Sequence, residues 1–378
     1  MIRRGFVLSI VVLAACGGGN GAGPGASSPS SSSSGGKTDE GGTAAPVSDS
    51  VAAPPPIGLD CGDFSACAVG GDGFVRCWGR NKDGELGQPE ATKEAGKRAT
   101  VPGLGKVSKV ALASQLSCAI LENKHVKCWG SGKLPGKVID NGQPTEVEGI
   151  DDAEEIEASG AIVCARGAKG IKCWGEDEKS IGVPPSGAFK QISTGFTHGC
   201  ALDDKGGVVC WGIGPDWGPK GKYASPGITG ATQVATGDRH ACVIAKDKSV
   251  MCWGMNDSGQ LGTKPDFTPH PKPAAVPGIK GATKLFAGET ANCALLGDGS
   301  VHCWGSNNEG ELGIGKQSTD ERPASVSGLS NVEHVCFASA HACALTHDHK
   351  LYCWGSNNFG QIGDGTKERR TSPTAVTW

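Results

Sequence analysis

The sequence predicts an all-β chain folded as a seven-bladed β-propeller of four-stranded antiparallel blades, and three observations carry that expectation. Seven times a cysteine is followed, nine or ten positions later, by a second cysteine that opens the triplet Cys-Trp-Gly. The triplets recur every 37 to 51 residues, at Trp78, Trp129, Trp174, Trp211, Trp253, Trp304 and Trp354, so one supersecondary unit is repeated along the chain. Between them almost no stretch carries a helical spacing of apolar residues.

The first element is residues 1–15. Arg3 and Arg4 precede the apolar run Phe6-Val7-Leu8-Ser9-Ile10-Val11-Val12-Leu13, which is too short to remain as a spanning helix. The segment ends in Leu13-Ala14-Ala15-Cys16, which resembles the bacterial lipoprotein box, where the cysteine is acylated after cleavage. The expectation is a lipoprotein signal peptide, lipidation at Cys16, and attachment to the bacterial cell envelope through that anchor, at the outer membrane or cell surface. An ordinary secretory signal is the alternative. Residues 16–56, rich in Gly, Ser, Pro and Ala with the run Ser30-Ser31-Ser32-Ser33-Ser34, have little to bury and read as a disordered tether to a propeller over 57–378.

Within each repeat the two cysteines flank a hairpin. In repeat six, Ala294-Leu295-Leu296 and Ser300-Val301-His302 lie either side of Asp298-Gly299, a turn pair of hairpin type. A turn centred there sets the cysteines opposite one another, with Cα atoms about 4.5–5.5 Å apart, inside disulfide range. The expected bridges are Cys67–Cys77, Cys118–Cys128, Cys164–Cys173, Cys200–Cys210, Cys242–Cys252, Cys293–Cys303 and Cys343–Cys353. In an exported chain an even set of cysteines reads as a disulfide framework, while a zinc site would draw on tighter cysteine knuckles.

After the triplet, repeats one, five, six and seven continue as Asn-x-x-Gly-x-Leu/Ile-Gly, at 81–87, 256–262, 307–313 and 357–363. Asparagine and glycine there suit a capped turn with a positive φ, leading to a short strand. Longer loops, Gln88 to Thr100, Thr263 to Ala275 and Ile314 to Ala324, are expected between the third and fourth strands, on one common face. Cysteine and tryptophan alternate on the third strand, so both faces of a blade are bulky and must be covered. Radial stacking achieves this. About 46 residues are available per blade from Pro56 to Trp378. Cys61 and Cys336 stand at near-equivalent places in repeats one and seven; a bridge between them would latch the ends, although spacing does not fix connectivity.

Gly237-Asp238-Arg239-His240-Ala241-Cys242 followed by Cys252-Trp253-Gly254-Met255-Asn256-Asp257-Ser258-Gly259-Gln260-Leu261-Gly262 resembles the regulator of chromosome condensation repeat family. The resemblance extends over 56–378, and repeats two, three and four depart from it after the triplet. It implies a seven-bladed propeller. The family includes a nucleotide exchange factor that binds chromatin and an exported bacterial inhibitor of β-lactamase, and the second suits this chain better. The formal charge is −3, or −5 without Arg3 and Arg4, so no nucleic-acid face is expected.

The function expected is a protein-binding scaffold, present as a single ring and acting through loop surfaces. No catalytic residue, metal site or cofactor is assigned. His198, His240 and His341, each two residues before a cysteine, are expected to hydrogen-bond to neighbouring blades. Trp217, which replaces the usual turn in repeat four, is the candidate partner-binding residue. An extracytoplasmic enzyme acting on cell-wall or extracellular polymer is the competing class, to be recognised by an acidic pair or metal in the ring's central depression. A guanine-nucleotide exchange factor is the third reading.

Overall fold

A computed structural model describes residues 53–88, 98–140, 142–175, 182–196, 198–212 and 225–378. Cys16, Trp217 and most of the loop Gln88 to Thr100 lie outside the described residues. The fold is all-β, a seven-bladed propeller of four-stranded antiparallel blades. Each blade is a meander in chain order. The innermost strands are Pro56–Gly62, Val107–Leu112, Ala153–Ser159, Gln191–Thr194, Gln233–Thr236, Ala282–Ala287 and Val332–Phe337. Among the described residues blades three and four show their three inner strands, and blade two carries an additional strand pair.

The hairpin register is the one the spacing requires. Cys67 faces Cys77, Cys242 faces Cys252, and Cys164 faces Cys173 despite the missing residue in its turn. All seven hairpin pairs are bonded, with Cα atoms 4.0–4.1 Å apart, slightly closer than the general spacing suggests.

Cysteine and tryptophan do project to opposite sides, and each side has a fixed destination. The hairpin cysteines of blade one pack with Trp129 of blade two, while Trp78 of blade one packs with Cys343 and Cys353 of blade seven. The pattern repeats around the ring, so every join between blades holds one buried indole beside one hairpin disulfide. The seven indoles are the largest buried side chains among the described residues, and with the disulfides they form the core in seven portions.

The Asn-x-x-Gly-x-Leu-Gly turn serves this packing. In blade five the Asn256 side chain accepts from Leu261 N at 3.0 Å and donates to Lys264 O at 2.8 Å, while the Gln260 side chain accepts from Ser258 N at 2.8 Å. The turn so fixed presents Gln260 O to the indole of Trp304 in the next blade, at 3.0 Å. Glu85 O, Glu311 O and Gln361 O receive Trp129, Trp354 and Trp78 in the same way. The last glycine is obligatory: at Gly363 φ is +72°, and a Cβ would lie 2.9 Å from the Trp78 indole nitrogen.

Two of the regions read as loops are strands. Asp266–Ala275 and Ser318–Ser325 form the outer edges of blades five and six. Pro269, Pro271 and Pro273 mark the first as irregular in sequence; an outermost strand tolerates them because their missing N–H groups limit pairing at a free edge.

Closure follows from side chains. Blade seven is built from 332–375, and among the described residues no backbone ladder joins the two ends. Cys61 bonds to Cys336, Trp78 donates to Gln361 O at 2.9 Å, and Trp378 donates to Pro54 O at 2.6 Å. Cys61 pairs with Ala66, whereas Cys336 pairs with Cys343, so the two latch cysteines differ by one register step. That step turns them toward each other across the join.

Candidate functional site

The seven inner strands enclose a polar cavity of about 720 Å³. Its polar side chains form a belt of bonds between adjacent blades. Asp60 accepts from Leu112 N at 2.7 Å, Lys109 pairs with Glu157 at 2.9 Å, and Glu155 accepts from Ile192 N at 2.9 Å. Gln191 both donates to Val234 O and accepts from Val234 N, and Gln233 repeats this with Leu285. Lys284 donates to Glu333 O at 2.6 Å. Six of the seven joins carry such a bond, and the seventh carries the Cys61–Cys336 bridge. The Asp60 carboxyl is pushed up to about 7, chiefly by burial and against the pull of its bond to Leu112 N.

The loops after the first strands and the turns after the third strands share one face. Phe64, from a first–second loop, meets Phe359, from a third-strand turn, edge-on at 5.3 Å. Arg80 lies over Phe64 at 4.4 Å and is held by Glu85 at 2.6 Å and Asp83 at 3.0 Å. This platform straddles the join between blades seven and one, with Phe359 exposed.

Beside it the cavity is lined by Asp63, Gly160 and Glu289, which stand four positions before the first cysteine of their repeats, the place held by Ser114, Phe196, Asp238 and Ser339 in the others. Of these seven, three are carboxylates and one is an exposed phenylalanine. Glu289 is pushed up to about 8 by burial, then by the charges of Asp63 and Asp238, and it hydrogen-bonds to Asp63. Burial and the charge of Asp63 likewise push Asp238 up to about 6. Glu289 is therefore held in its protonated form at neutral pH beside the Asp63 side chain, and the mouth gains from a cation brought to it.

His198, His240 and His341 are buried between blades and do not converge. His240 shares a hydrogen bond with Asn292 of blade six at 2.9 Å, His198 meets the backbone of Asp238 and His240 in blade five, and His341 faces the Ser65 backbone in blade one. Gly195 and Gly237 make room for two of these rings, which explains the Gly-x-x-His spacing. Cys61, His341 and Cys343 bring two sulfurs and a ring nitrogen within 4.8 Å of one another, but both sulfurs are in disulfides and offer no thiolate to a metal.

Two models described as the regulator of chromosome condensation (RCC1) repeat match this chain, one at 189–215, 231–260, 282–311 and 332–361, the other at 247–295, 298–345 and 348–378. The chain belongs to this repeat family. Human WBSCR16 is similar to it at TM-score 0.70 and 20% identity, over 81% of this chain and 95% of that one. Prp20p from Saccharomyces cerevisiae, described with its binding properties to Gsp1p and histones, is similar at TM-score 0.51 and 21% identity, over 84% of this chain and 76% of that one. A second structure of yeast RCC1 (Prp20), with Kap60 bound, gives 0.52 and 20% over 85% and 74%. At these identities the likeness concerns the fold.

The carboxyl mouth and the aromatic platform are not among the sites expected from the sequence. The signal was available for the mouth, since aligning the repeats on the first cysteine puts Asp63, Asp238, Glu289 and Phe196 at one offset. The Phe64–Phe359 contact joins distant parts of the chain and needs closure to be known.

Proposed function

We propose that this protein is a cell-envelope lipoprotein, anchored through Cys16, whose ring is a non-catalytic scaffold for a protein partner. The docking face is the one carrying Phe64, Phe196 and Phe359. The observation that supports this reading is exposed aromatic surface, held on a rigid ring, beside a carboxyl-lined mouth. Aromatic anchors supply contact area, and buried carboxyls supply register for a basic segment of the partner. Gsp1p and Kap60, which the yeast relative binds, favour the same class. The ring acts as a monomer and without nucleic acid.

The full-length chain, extracted from its native envelope in mild detergent, tests this. It should retain a protein that Phe359→Ala and Glu289→Gln release and that Lys205→Ala, on the opposite face, does not. Retention unchanged by both face variants would defeat the docking assignment. Fatty-acid labelling should mark the chain and disappear in Cys16→Ser; labelling that persists would remove the anchor.

One observation favours the second reading, an extracytoplasmic enzyme acting on cell-wall or extracellular polymer. Glu289, its pKa raised to about 8 by burial, hydrogen-bonds to Asp63 at the mouth of the ring, and paired carboxyls can act as acid and base in hydrolysis. Release of soluble fragments from envelope polymers, abolished by Glu289→Gln, would establish it.

A further inference from the structure

The join between blades seven and one holds two disulfides in one buried cluster, where each of the other six clusters holds a single hairpin pair. Cys61, Cys336, Cys343 and Cys353 pack together there, and the Cys61 and Cys343 sulfurs lie within 4.8 Å of each other. Cys61 belongs to the first blade and Cys343 to the last. We propose that this seam is a thiol–disulfide relay that keeps the ring covalently closed after its latch has been attacked.

Atoms and electrons balance at each step. A thiolate of a dithiol reductant attacks the Cys336 sulfur, the Cys61–Cys336 bond breaks, and Cys61 leaves as a thiolate. The reductant's second thiol then displaces Cys336, which takes up a proton, and the reductant departs as its cyclic disulfide. Cys61 attacks the neighbouring Cys343 sulfur, forming Cys61–Cys343 and expelling Cys353, which is protonated in turn. One disulfide has been lost overall, from the blade-seven hairpin. The bond across the seam has moved but still joins the two ends of the ring.

The surroundings set the pace. The cluster is apolar, which disfavours the thiolate, and His341 is held down to about 4 by burial, so its ring is neutral and brings no cation to the sulfur. Exchange is therefore expected over minutes to hours, faster at higher pH.

The test uses the full chain. Cys336→Ser leaves Cys61 beside an intact Cys343–Cys353 bond, and Cys353→Ser leaves Cys343 beside an intact latch. After incubation at mildly alkaline pH, alkylation and peptide mapping without reduction should find Cys61–Cys343 in both variants, with alkyl groups on Cys353 in the first and on Cys336 in the second. Cys343–Cys353 intact with Cys61 alkylated, together with Cys61–Cys336 intact with Cys343 alkylated, would overturn the proposal. If neither variant folds, limited reduction of the unaltered protein with a dithiol reads the same bond. Cys61–Cys343 should then accumulate before any other hairpin opens, and its absence would overturn the proposal equally.

Discussion

Replacing Cys61 and Cys336 together with alanine removes the latch without leaving a thiol to exchange. The bridge spans 275 residues, and the chain-entropy relation gives about 5.6 kcal/mol for a loop of that length. Six hairpin bridges lie inside the loop and shorten its free path to about 220 residues, which lowers the figure by only about 0.2 kcal/mol. A hairpin bridge spanning 10 residues is worth about 2.7 kcal/mol on the same relation. The comparison is therefore between Cys61→Ala/Cys336→Ala and Cys67→Ala/Cys77→Ala. Both pairs are buried, so the cost of the lost sulfurs largely cancels, and the latch variant should be less stable by about 3 kcal/mol. Urea unfolding followed by tryptophan fluorescence reads this directly, because seven indoles are buried between blades. Equal losses in the two variants, or a larger loss from the hairpin, would refute the assignment of closure to loop entropy.

Stability should also depend on pH in two opposed ways. His198, His240 and His341 are held down to about 3, 4 and 4 by burial, so their contribution is full above about pH 6.5 and is lost as pH falls toward 4. Asp60 and Glu289 are held up to about 7 and 8, so unfolding releases their protons once pH exceeds about 4 and stability declines until pH 8. Between pH 6.5 and 8 the carboxyl term acts alone, and Asp60→Asn with Glu289→Gln should flatten the decline in urea midpoint over that range. A second comparison isolates the indole bonds: Trp129→Phe should cost about 0.5–1.5 kcal/mol more than Trp174→Phe, because Trp129 donates to Glu85 O and Trp174 Nε1 has no partner among the described residues. Equal unfolding midpoints for the two variants would count against the turn carbonyl as the function of the motif.

The repeat spacing made the ring legible because each cysteine pair is local: a ten-residue hairpin fixes its own register, and the Asp-Gly turn confirms it. The turn motif was legible as a turn but not as a receptor for the next blade's tryptophan, since that role appears only when two repeats are stacked. The outer strand of blade five reads as a loop because prolines at 269, 271 and 273 outweigh a weak alternation, and that of blade six because Ser318–Ser325 is polar and carries Pro323; an edge strand is where such sequences persist. The mouth carboxylates escaped for a different reason. Each is an ordinary loop residue in its own repeat, and their burial and mutual repulsion exist only once the blades are closed.

Closure without a shared backbone ladder has a consequence for the candidate face. In a ring whose end blade mixes strands from both termini, main-chain hydrogen bonds would hold the last join, but here Cys61–Cys336, Trp78–Gln361 and Trp378–Pro54 do so. The Phe64–Phe359 contact crosses that same join, and Gln361, which receives Trp78, lies two residues beyond Phe359. The Gln361 side chain also accepts from Phe359 N at 2.9 Å, so one residue fixes both the seam and the aromatic ring beside it. A platform fixed in this way loses little conformational freedom when a partner docks, whereas a seam free to open would spread the two rings and forfeit that advantage. The bonds that close the ring are thus also the bonds that preorganise its candidate binding face.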